Sequence, residues 1–289
     1  MIDKIDLLIA RADQLIARIE AILPKPLGAP DWQASIAWRY RRRASGSSAL
    51  EPVRHVAGLQ LHDLKEIEPQ KEKIQRNTEQ FVAGKPANNV LLTGARGTGK
   101  SSLIKACLNT YAARGLRLVE VDKADLTDLP DIVEVVADRP EKFIVFCDDL
   151  SFDEGEPGYK ALKSILDGSV AVATPNVLIY ATSNRRHLLP EYMKENLTYT
   201  HTDDGEVHPG EVVEEKISLS ERFGLWVSFY PFNQDEYLAI AGQWLTHFGA
   251  APAAIEAARA EALLWALERG SRSGRVAYQL ARDYAGRAQ

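Results

Sequence analysis

The fold is decided by the stretch Asn89-Val90-Leu91-Leu92-Thr93-Gly94-Ala95-Arg96-Gly97-Thr98-Gly99-Lys100-Ser101. An apolar segment leads into a glycine-rich turn, and a run with the apolar spacing of a helix follows the turn. The turn has the spacing G-x-x-x-x-G-K-S, the Walker A pattern. The sequence therefore predicts a strand, a phosphate-binding loop and a helix in succession.

Each residue type in this loop has a chemical reason. Glycines let backbone N–H groups approach phosphate oxygens, and the helix that follows points the positive end of its dipole at them. Lys100 can reach the β- and γ-phosphates of ATP, and Ser101 can offer its hydroxyl to Mg²⁺. A dinucleotide fingerprint needs a third glycine where Ser102 stands, which disfavours an NAD site. The predicted phosphate ligands are Gly94, Ala95, Arg96, Gly97, Thr98, Gly99, Lys100, Ser101 and Ser102.

Composition limits the class of protein. The chain has 289 residues, 45% of them hydrophobic, and a net charge of −5. This is enough for a sizeable core, and the acidic balance argues against a general nucleic-acid coat. Cys107 and Cys147 lie in apolar runs without disulfide or metal spacing, which predicts buried, reduced thiols. With no signal peptide or membrane span in the sequence, we expect a cytoplasmic protein that makes no membrane contact.

The N-terminal part, residues 1–57, is predicted to be a helical extension with a linker. Apolar residues from Ile2 to Ile22 have helical spacing, which fits either a helix packed on its own domain or one that docks a partner or a second copy. The stretch Trp38–Arg43 interleaves aromatic rings with arginines. It could bind single-stranded nucleic acid by stacking, an interpretation that we do not favour, or an acidic protein surface.

Strand and helix patterns alternate over residues 58–232, which predicts an α/β/α nucleotide-binding domain with a five-stranded parallel sheet. Three helical patterns, at Gln234–Phe248, Pro252–Glu268 and Gly274–Ala285, contain no strand. Residues 233–289 are therefore expected to form an all-helical lid. Residues 191–216 interrupt the alternation and resemble a polar loop or a small hairpin.

Two further strand ends carry polar side chains. A near-continuously apolar strand, Lys142–Cys147, ends in Asp148 and Asp149, as in the Walker B pattern. Asp148 is expected to hold Mg²⁺ beside Ser101, and Asp149 to orient or deprotonate the attacking water. Asn184 follows the next strand and can hold the same water or the γ-phosphate.

Taken together, these motifs resemble the AAA+ family of P-loop ATPases, from about Leu59 to the C-terminus. The resemblance implies that Asn184 is the sensor 1 residue and that Arg275, which begins the last helical pattern, is sensor 2. Arg222 in Ser220-Glu221-Arg222-Phe223-Gly224 resembles the arginine finger, which implies a homo-oligomer in which Arg222 acts in trans. Arg185, Arg186 and Arg272 compete for these roles. The chain also looks like a little-characterised bacterial group of AAA+ ATP-binding proteins.

The sequence departs from the AAA+ pattern at two places. The family has glutamate where this chain has Asp149, and a displacement of about 1 Å can lower a rate ~10²-fold. Asp149 could act through a repositioned water, or Glu154 or Glu156 could replace it. Residues 122–128 contain no aromatic pore loop, which disfavours a polypeptide-threading unfoldase. His187, His201 and His208 fit no zinc spacing.

The sequence leaves two main hypotheses for the function. The first is an ATPase that couples Mg-ATP binding and hydrolysis to a conformational change or assembly on an unknown client. The second is a nucleotide-dependent binding switch with little turnover, a reading that the Asp149 departure motivates. A helicase loader or a transposition helper would be a form of this protein that associates with DNA. A small-molecule kinase is a further alternative, which the predicted helical lid disfavours.

Overall fold

The computed structural model describes residues 9–18, 27–43, 47–152, 156–167, 174–185, 188, 200–201, 207–208 and 219–287. Its framework is a sheet of seven strands in the order β2-β1-β4-β5-β6-β3-β9. The strands are β1 Ala37–Arg42, β2 Ser48–Pro52, β3 Val90–Gly94, β4 Leu116–Glu120, β5 Lys142–Cys147, β6 Val177–Ser183 and β9 Leu225–Phe229. All neighbours are parallel except β1 and β2. The predicted mixed α/β class is confirmed, but the prediction of five strands is wrong by two.

The two additional strands, β1 and β2, come from the segment expected to be a helical extension and linker. Trp38 and Tyr40 point into the core with exposed fractions of 0% and 1%, whereas Arg39 between them is half-buried and Arg41 after them is exposed. This alternation is the period of a strand with one buried face. The interpretation of Trp38–Arg43 as a base-stacking patch is therefore wrong, because the rings are covered.

The arginines of the same stretch are held by acidic groups of this chain. Arg39 donates to the Glu120 carboxylate at 2.7 Å, and Arg42 forms an ion pair with Asp128. Burial and the Asp128 carboxylate raise the pKa of the Tyr40 hydroxyl. The acidic surface that the sequence pattern suggested is thus supplied from within the same domain.

Helices cover both faces of the sheet. Helices α2 (Glu68–Val82) and α3 (Lys100–Tyr111) pack on one face, while α4 (Leu129–Ala137) and α5 (Pro157–Asp167) pack on the other. Within β3 the side chains alternate between these two cores, because Val90 and Leu92 belong to the first and Leu91 to the second. A central parallel strand buried on both sides explains why the sequence is apolar at every position there.

The C-terminal helices are α6 Gln234–His247, α7 Pro252–Ala257, α8 Arg259–Glu268 and α9 Gly274–Arg287. Helix α6 begins with a capping box, in which the Asn233 side chain accepts from the Glu236 N–H at 3.0 Å and the Glu236 carboxylate accepts from the Asn233 N–H at 2.8 Å. The second helical pattern is split between α7 and α8. The other two patterns match α6 and α9 closely.

Smaller elements complete the described chain. Residues 9–18 form helix α1. Strands β7 (Thr200–His201) and β8 (Val207–His208) pair antiparallel, as expected for a small hairpin, and the rest of residues 191–216 lies outside the described residues. Cys107 and Cys147 are free and buried, as predicted. None of the described helices has the length and apolar character needed to cross a membrane.

Candidate functional site

The candidate site lies where β3, β5 and β6 end, at one edge of the sheet. These strands are neighbours in the order β5-β6-β3, so the polar residues that follow them meet at this edge. Ligands of open α/β sheets bind outside the carboxyl ends of the strands. The same edge faces the C-terminal helices α6–α9, the predicted lid, and a cleft of about 980 Å³ lies between them.

The phosphate loop joins β3 to α3 through backbone conformations that favour glycine. Gly97 has a φ of +72°, and a Cβ added there would lie 2.9 Å from the Ser273 Cβ of the lid. At Gly94 the φ is +123°, and an added Cβ would lie 1.9 Å from the Phe229 carbonyl oxygen on β9. Gly94 therefore allows β9 to approach the loop, and Gly97 allows the C-terminal helices to approach it.

Lys100 is the first residue of α3 and lies inside the loop, with only 6% of its surface exposed. Its Nζ donates to the carbonyl oxygens of Gly94 and Ala95, at 2.8 Å each, and to the Asn184 Oδ1 at 3.0 Å. Burial lowers the pKa of this ammonium group, and the carboxylates of Asp149 and Asp148 oppose that effect. The charge is thus held where the phosphate loop and the β6 end converge.

Ser101 and Asp148 form a pair of oxygen ligands beside Lys100. The Ser101 hydroxyl donates to the Asp148 Oδ1 at 2.6 Å, and the Thr182 hydroxyl on β6 donates to the same oxygen at 2.6 Å. A hydroxyl and a carboxylate are the hard oxygen donors that Mg²⁺ prefers, with phosphate oxygens and waters filling its other positions. The pair therefore fits a shared Mg²⁺. The described residues include no cluster of three or more His, Cys, Asp or Glu that could hold a metal alone.

Asp149 is held in an unusual backbone conformation beside this pair. Its φ is +52°, in the left-handed region that non-glycine residues seldom adopt. Its N–H donates to the Thr182 Oγ1 at 2.9 Å, and its carboxylate accepts from the Asn184 Nδ2. Asn184 thereby links Asp149 to Lys100. The sequence analysis missed Thr182, because a threonine inside an apolar strand gives no sign that it contacts the neighbouring strand end.

The lid contacts the phosphate loop directly. The Gly274 N–H donates to the Gly97 carbonyl oxygen at 2.9 Å. Arg275 follows it and lines the cleft together with Lys100 and Asp148. The predicted sensor 2 residue is therefore close to the predicted phosphate ligands within one chain.

Other predicted residues lie away from this group. Arg222 does not line the cleft and forms an ion pair with Asp167 at the end of α5. Glu156 pairs with Lys123 at 3.0 Å and does not line the cleft either. The remaining alternatives that lie outside the described residues are Glu154, Arg186 and His187.

An apolar part of the cleft was not predicted. It is lined by Leu59, Leu64 and Ile67 on the side of the α/β domain and by Ile240, Trp244 and Tyr278 from the lid. This apolar slot lies in the same cleft as the phosphate loop, and apolar and aromatic side chains are the usual lining of a site for a nucleotide base. The residues come from three separate segments, so no local motif marks them.

Comparisons with known proteins agree with this geometry. A family profile described as "Protein of unknown function (DUF815)" matches residues 33–288. No curated protein sequence matches the chain.

Among solved structures, a mutant of RuvB from Thermotoga maritima aligns with a TM-score of 0.51 and 16% identity over 78% of this chain and 64% of that one. The replication initiator DnaA, bound to AMPPCP and single-stranded DNA, aligns with a TM-score of 0.50 and 15% identity over 78% and 64%. The chain thus spans less than two thirds of either neighbour. At this identity the likeness shows the fold, and the fold described above is the AAA+ fold.

Proposed function

This chain belongs to the DUF815 family of proteins of unknown function, whose profile covers residues 33–288, and we propose that it binds Mg-ATP in the cleft and hydrolyses it to ADP and phosphate. The cycle would change the position of the lid or the assembly state and act on an unidentified protein client. In this proposal residues 58–232 are the nucleotide-binding domain, residues 233–289 the lid, and residues 1–57 an N-terminal extension whose strands β1 and β2 join the edge of the sheet of that domain.

The observation that carries the proposal is the contact between the Ser101 hydroxyl and the Asp148 carboxylate at 2.6 Å, with Lys100 beside it. Two separate segments supply these groups to one point: the start of α3 gives the cation and the hydroxyl, and the end of β5 gives the carboxylate. Phosphoryl transfer depends mainly on positioning and on neutralising charge, which is what such groups provide. Ser101 and Asp148 would hold a Mg²⁺, which would supply positive charge against the negative charge that develops on the phosphate oxygens.

We assign the remaining roles by position. The backbone of residues 94–99 and the start of α3 would hold the phosphates, and Lys100 would release the Gly94 and Ala95 carbonyl oxygens to bind the γ-phosphate. Asp149 would accept a proton from the attacking water, and Asn184 would hold that water in line. Arg275 would add positive charge from the lid. The apolar slot would take the adenine.

Arg222 is proposed to complete the site of a neighbouring copy. Within its own chain it lies outside the cleft and contacts Asp167, so it would act only in trans. An arginine supplied in trans raises the rate ~10³–10⁵-fold in other P-loop enzymes. On this proposal the turnover per subunit rises with protein concentration.

One observation favours the switch with little turnover as the second candidate. The Asp149 carboxylate is bound by the Asn184 amide, and its backbone is in the left-handed region. A short carboxylate fixed in this way could be too far from the attacking water, and ATP would then be held without being cleaved. DNA contact through Trp38 is not part of either proposal, since that ring is buried.

Phosphate release from Mg-ATP separates the two candidates. We expect wild-type turnover to require Mg²⁺ and to fall at least ~100-fold in Asp149→Asn, because the base is lost while the size is kept. ATP binding to this variant should remain, which distinguishes loss of chemistry from loss of the site. Tight ATP binding with no turnover in the wild type favours the switch, and equal turnover in wild type and Asp149→Asn contradicts the assignment of the base.

A mixing experiment tests the arginine finger. Arg222→Ala keeps an intact phosphate site, and Lys100→Ala keeps an intact finger. Each variant alone should be inactive, and an equimolar mixture should regain a measurable fraction of wild-type turnover. If Arg222→Ala alone hydrolyses ATP at the wild-type rate, or if the equimolar mixture stays as inactive as its two components, Arg222 has no role in trans.

A further inference from the structure

Helix α1, residues 9–18, carries apolar side chains that nothing in the described chain covers. Every residue of the helix is exposed, and the exposed fractions of Ile9, Leu15 and Ile16 are 54%, 60% and 51%. A helix with an apolar stripe normally buries that stripe, because the burial stabilises the helix. The uncovered stripe therefore indicates that α1 packs against a partner.

The spacing of the stripe is that of a coiled coil. Ile9 and Ile16 are seven residues apart, and Ala12 lies between them at intervals of three and four. The sequence repeats this spacing on both sides of α1, through Ile2, Ile5, Ile9, Ala12, Ile16 and Ile19. A repeat of seven residues keeps one seam facing other helices, and isoleucine at both core positions favours three or more helices over two.

A third apolar column widens this face. Leu15 lies one position before Ile16, and the sequence places apolar residues seven positions to either side of it, at Leu8 and Ile22. With this column the stripe is about 100° wide, broader than the narrow seam of a two-stranded coiled coil. The extra width suits a helix that contacts two neighbours at once.

The two edges of the stripe have opposite charge. Arg11 and Arg18 lie along the edge next to Leu15, and Asp13 lies along the edge next to Ile9. By sequence spacing alone, Lys4 falls at the heptad position of Arg11 and Arg18, and Asp6 and Glu20 fall at that of Asp13. Each of these two heptad positions therefore carries one sign of charge through the sequence repeat.

This distribution selects one arrangement. In a ring of parallel helices, the acidic edge of each helix faces the basic edge of the next one. In an antiparallel pair, the acidic edge would face the acidic edge of its neighbour, and the basic edge another basic edge. Like charges facing each other are destabilising, whereas opposite charges set the orientation of coiled coils.

We propose that α1 assembles with the same helix of other copies of this chain into a parallel bundle of three or more helices. The bundle is an interface separate from the nucleotide cleft and forms without nucleotide. It holds the nucleotide-binding domains of several copies close together with their polarity aligned. A membrane surface is a poorer occupant, because residues 1–23 carry three basic and four acidic side chains, and helices that bind anionic lipid are predominantly basic.

The test uses the full-length chain and two charge variants, with no nucleotide present. The acidic variant carries Lys4→Glu, Arg11→Glu and Arg18→Glu. The basic variant carries Asp6→Lys, Asp13→Lys and Glu20→Lys. All of these substitutions introduce good helix formers, and far-UV circular dichroism checks that the fold is retained. Sedimentation velocity and light scattering then give the mass of each sample.

We expect the wild type to have a mass of at least three times 32.1 kDa at micromolar concentration. Each variant alone should be monomeric, because both of its edges carry the same charge. An equimolar mixture should reassemble with the two variants alternating, and so with an even number of subunits. The Lys100→Ala variant should assemble like the wild type, which separates this interface from any effect of nucleotide.

Three results would overturn the proposal. The wild type could be monomeric even at ~100 μM, which is about 100-fold above a micromolar dissociation constant. Either charge variant could keep the wild-type mass, which would place the contacts elsewhere. The wild type could bind phosphatidylglycerol vesicles through Ile9 and Ile16 while remaining monomeric, and the partner would then be a membrane.

Discussion

Replacing Thr182 by valine tests how the site holds its two carboxylates. The Thr182 hydroxyl donates to Asp148 at 2.6 Å and accepts from the Asp149 N–H at 2.9 Å, and the residue is only 2% exposed. Valine keeps the shape but removes both hydrogen bonds. At about 1 kcal/mol for each bond, the free energy of unfolding should fall by about 2 kcal/mol. Changes of this kind next to a metal ligand lower metal affinity or activity ~10–100-fold.

The assay is the Mg²⁺ dependence of ATP turnover, or of ATP binding if turnover is slow. We expect Thr182→Val to raise the apparent Mg²⁺ dissociation constant ~10–100-fold, because Asp148 loses the bond that orients it. Thr182→Ser is the matched control, since it keeps the hydroxyl and removes only a methyl group. It should lose about 1 kcal/mol of stability but stay within about threefold of the wild type in Mg²⁺ affinity.

The contrast between the two variants decides the outcome. If Thr182→Val has the Mg²⁺ dependence of the wild type, the hydroxyl does not position the carboxylate. If serine, which keeps the hydroxyl, is as damaging as valine, then keeping the hydroxyl does not preserve the site, and the reasoning from the two hydrogen bonds is refuted.

Two further predictions concern the lid and the thiols. Gly97→Ala should weaken ATP binding ~10-fold or more, because its Cβ would lie 2.9 Å from the Ser273 Cβ and its φ is +72°. Gly270→Ala, with a φ of +61° and no atom within 4 Å of the added Cβ, is the control for strain alone and should bind ATP normally. Burial raises the pKa of Cys107 and Cys147 to about 12, so both should resist Ellman's reagent at pH 8 until guanidinium unfolds the chain. Labelling of the folded protein within minutes would contradict their burial.

The phosphate site was predictable from the sequence because its chemistry is local. The loop, the strand before it and the helix after it are consecutive, so one pattern implies all three. The placement of Asn184 at the same edge as the other two strand ends also follows, because parallel strands end at one edge of the sheet. The left-handed backbone of Asp149 could not be predicted, because it depends on the contacts that Thr182 and Asn184 make from β6.

The N-terminal strands were missed for a different reason. Trp38 and Tyr40 alternate with Arg39 and Arg41, and the charges were interpreted as a binding surface. The same alternation is the period of a strand, and that signal was available. The ion pairs that neutralise the arginines join residues about 80 positions apart, such as Arg39 and Glu120, and sequence spacing does not reveal them.

The apolar slot of the cleft could not be predicted from the sequence. Leu59, Leu64 and Ile67 precede the phosphate loop, whereas Trp244 and Tyr278 come from the lid. Each is an ordinary core residue in its own segment. Their common role exists only when the lid packs on the loop through the contact of Gly274 with Gly97.

The central claim is that Lys100 and the residues around it form a site for Mg-ATP, and a calorimetric titration with a non-hydrolysable ATP analogue and Mg²⁺ tests it most directly. We expect one site per chain and a dissociation constant raised at least ~10-fold in Lys100→Ala, since a charge-assisted hydrogen bond contributes about 1.5–3 kcal/mol. Lys73→Ala, which removes an exposed lysine on α2, is the matched control and should bind like the wild type. An absence of binding at millimolar analogue, or equal affinity in Lys100→Ala and the wild type, would contradict the claim.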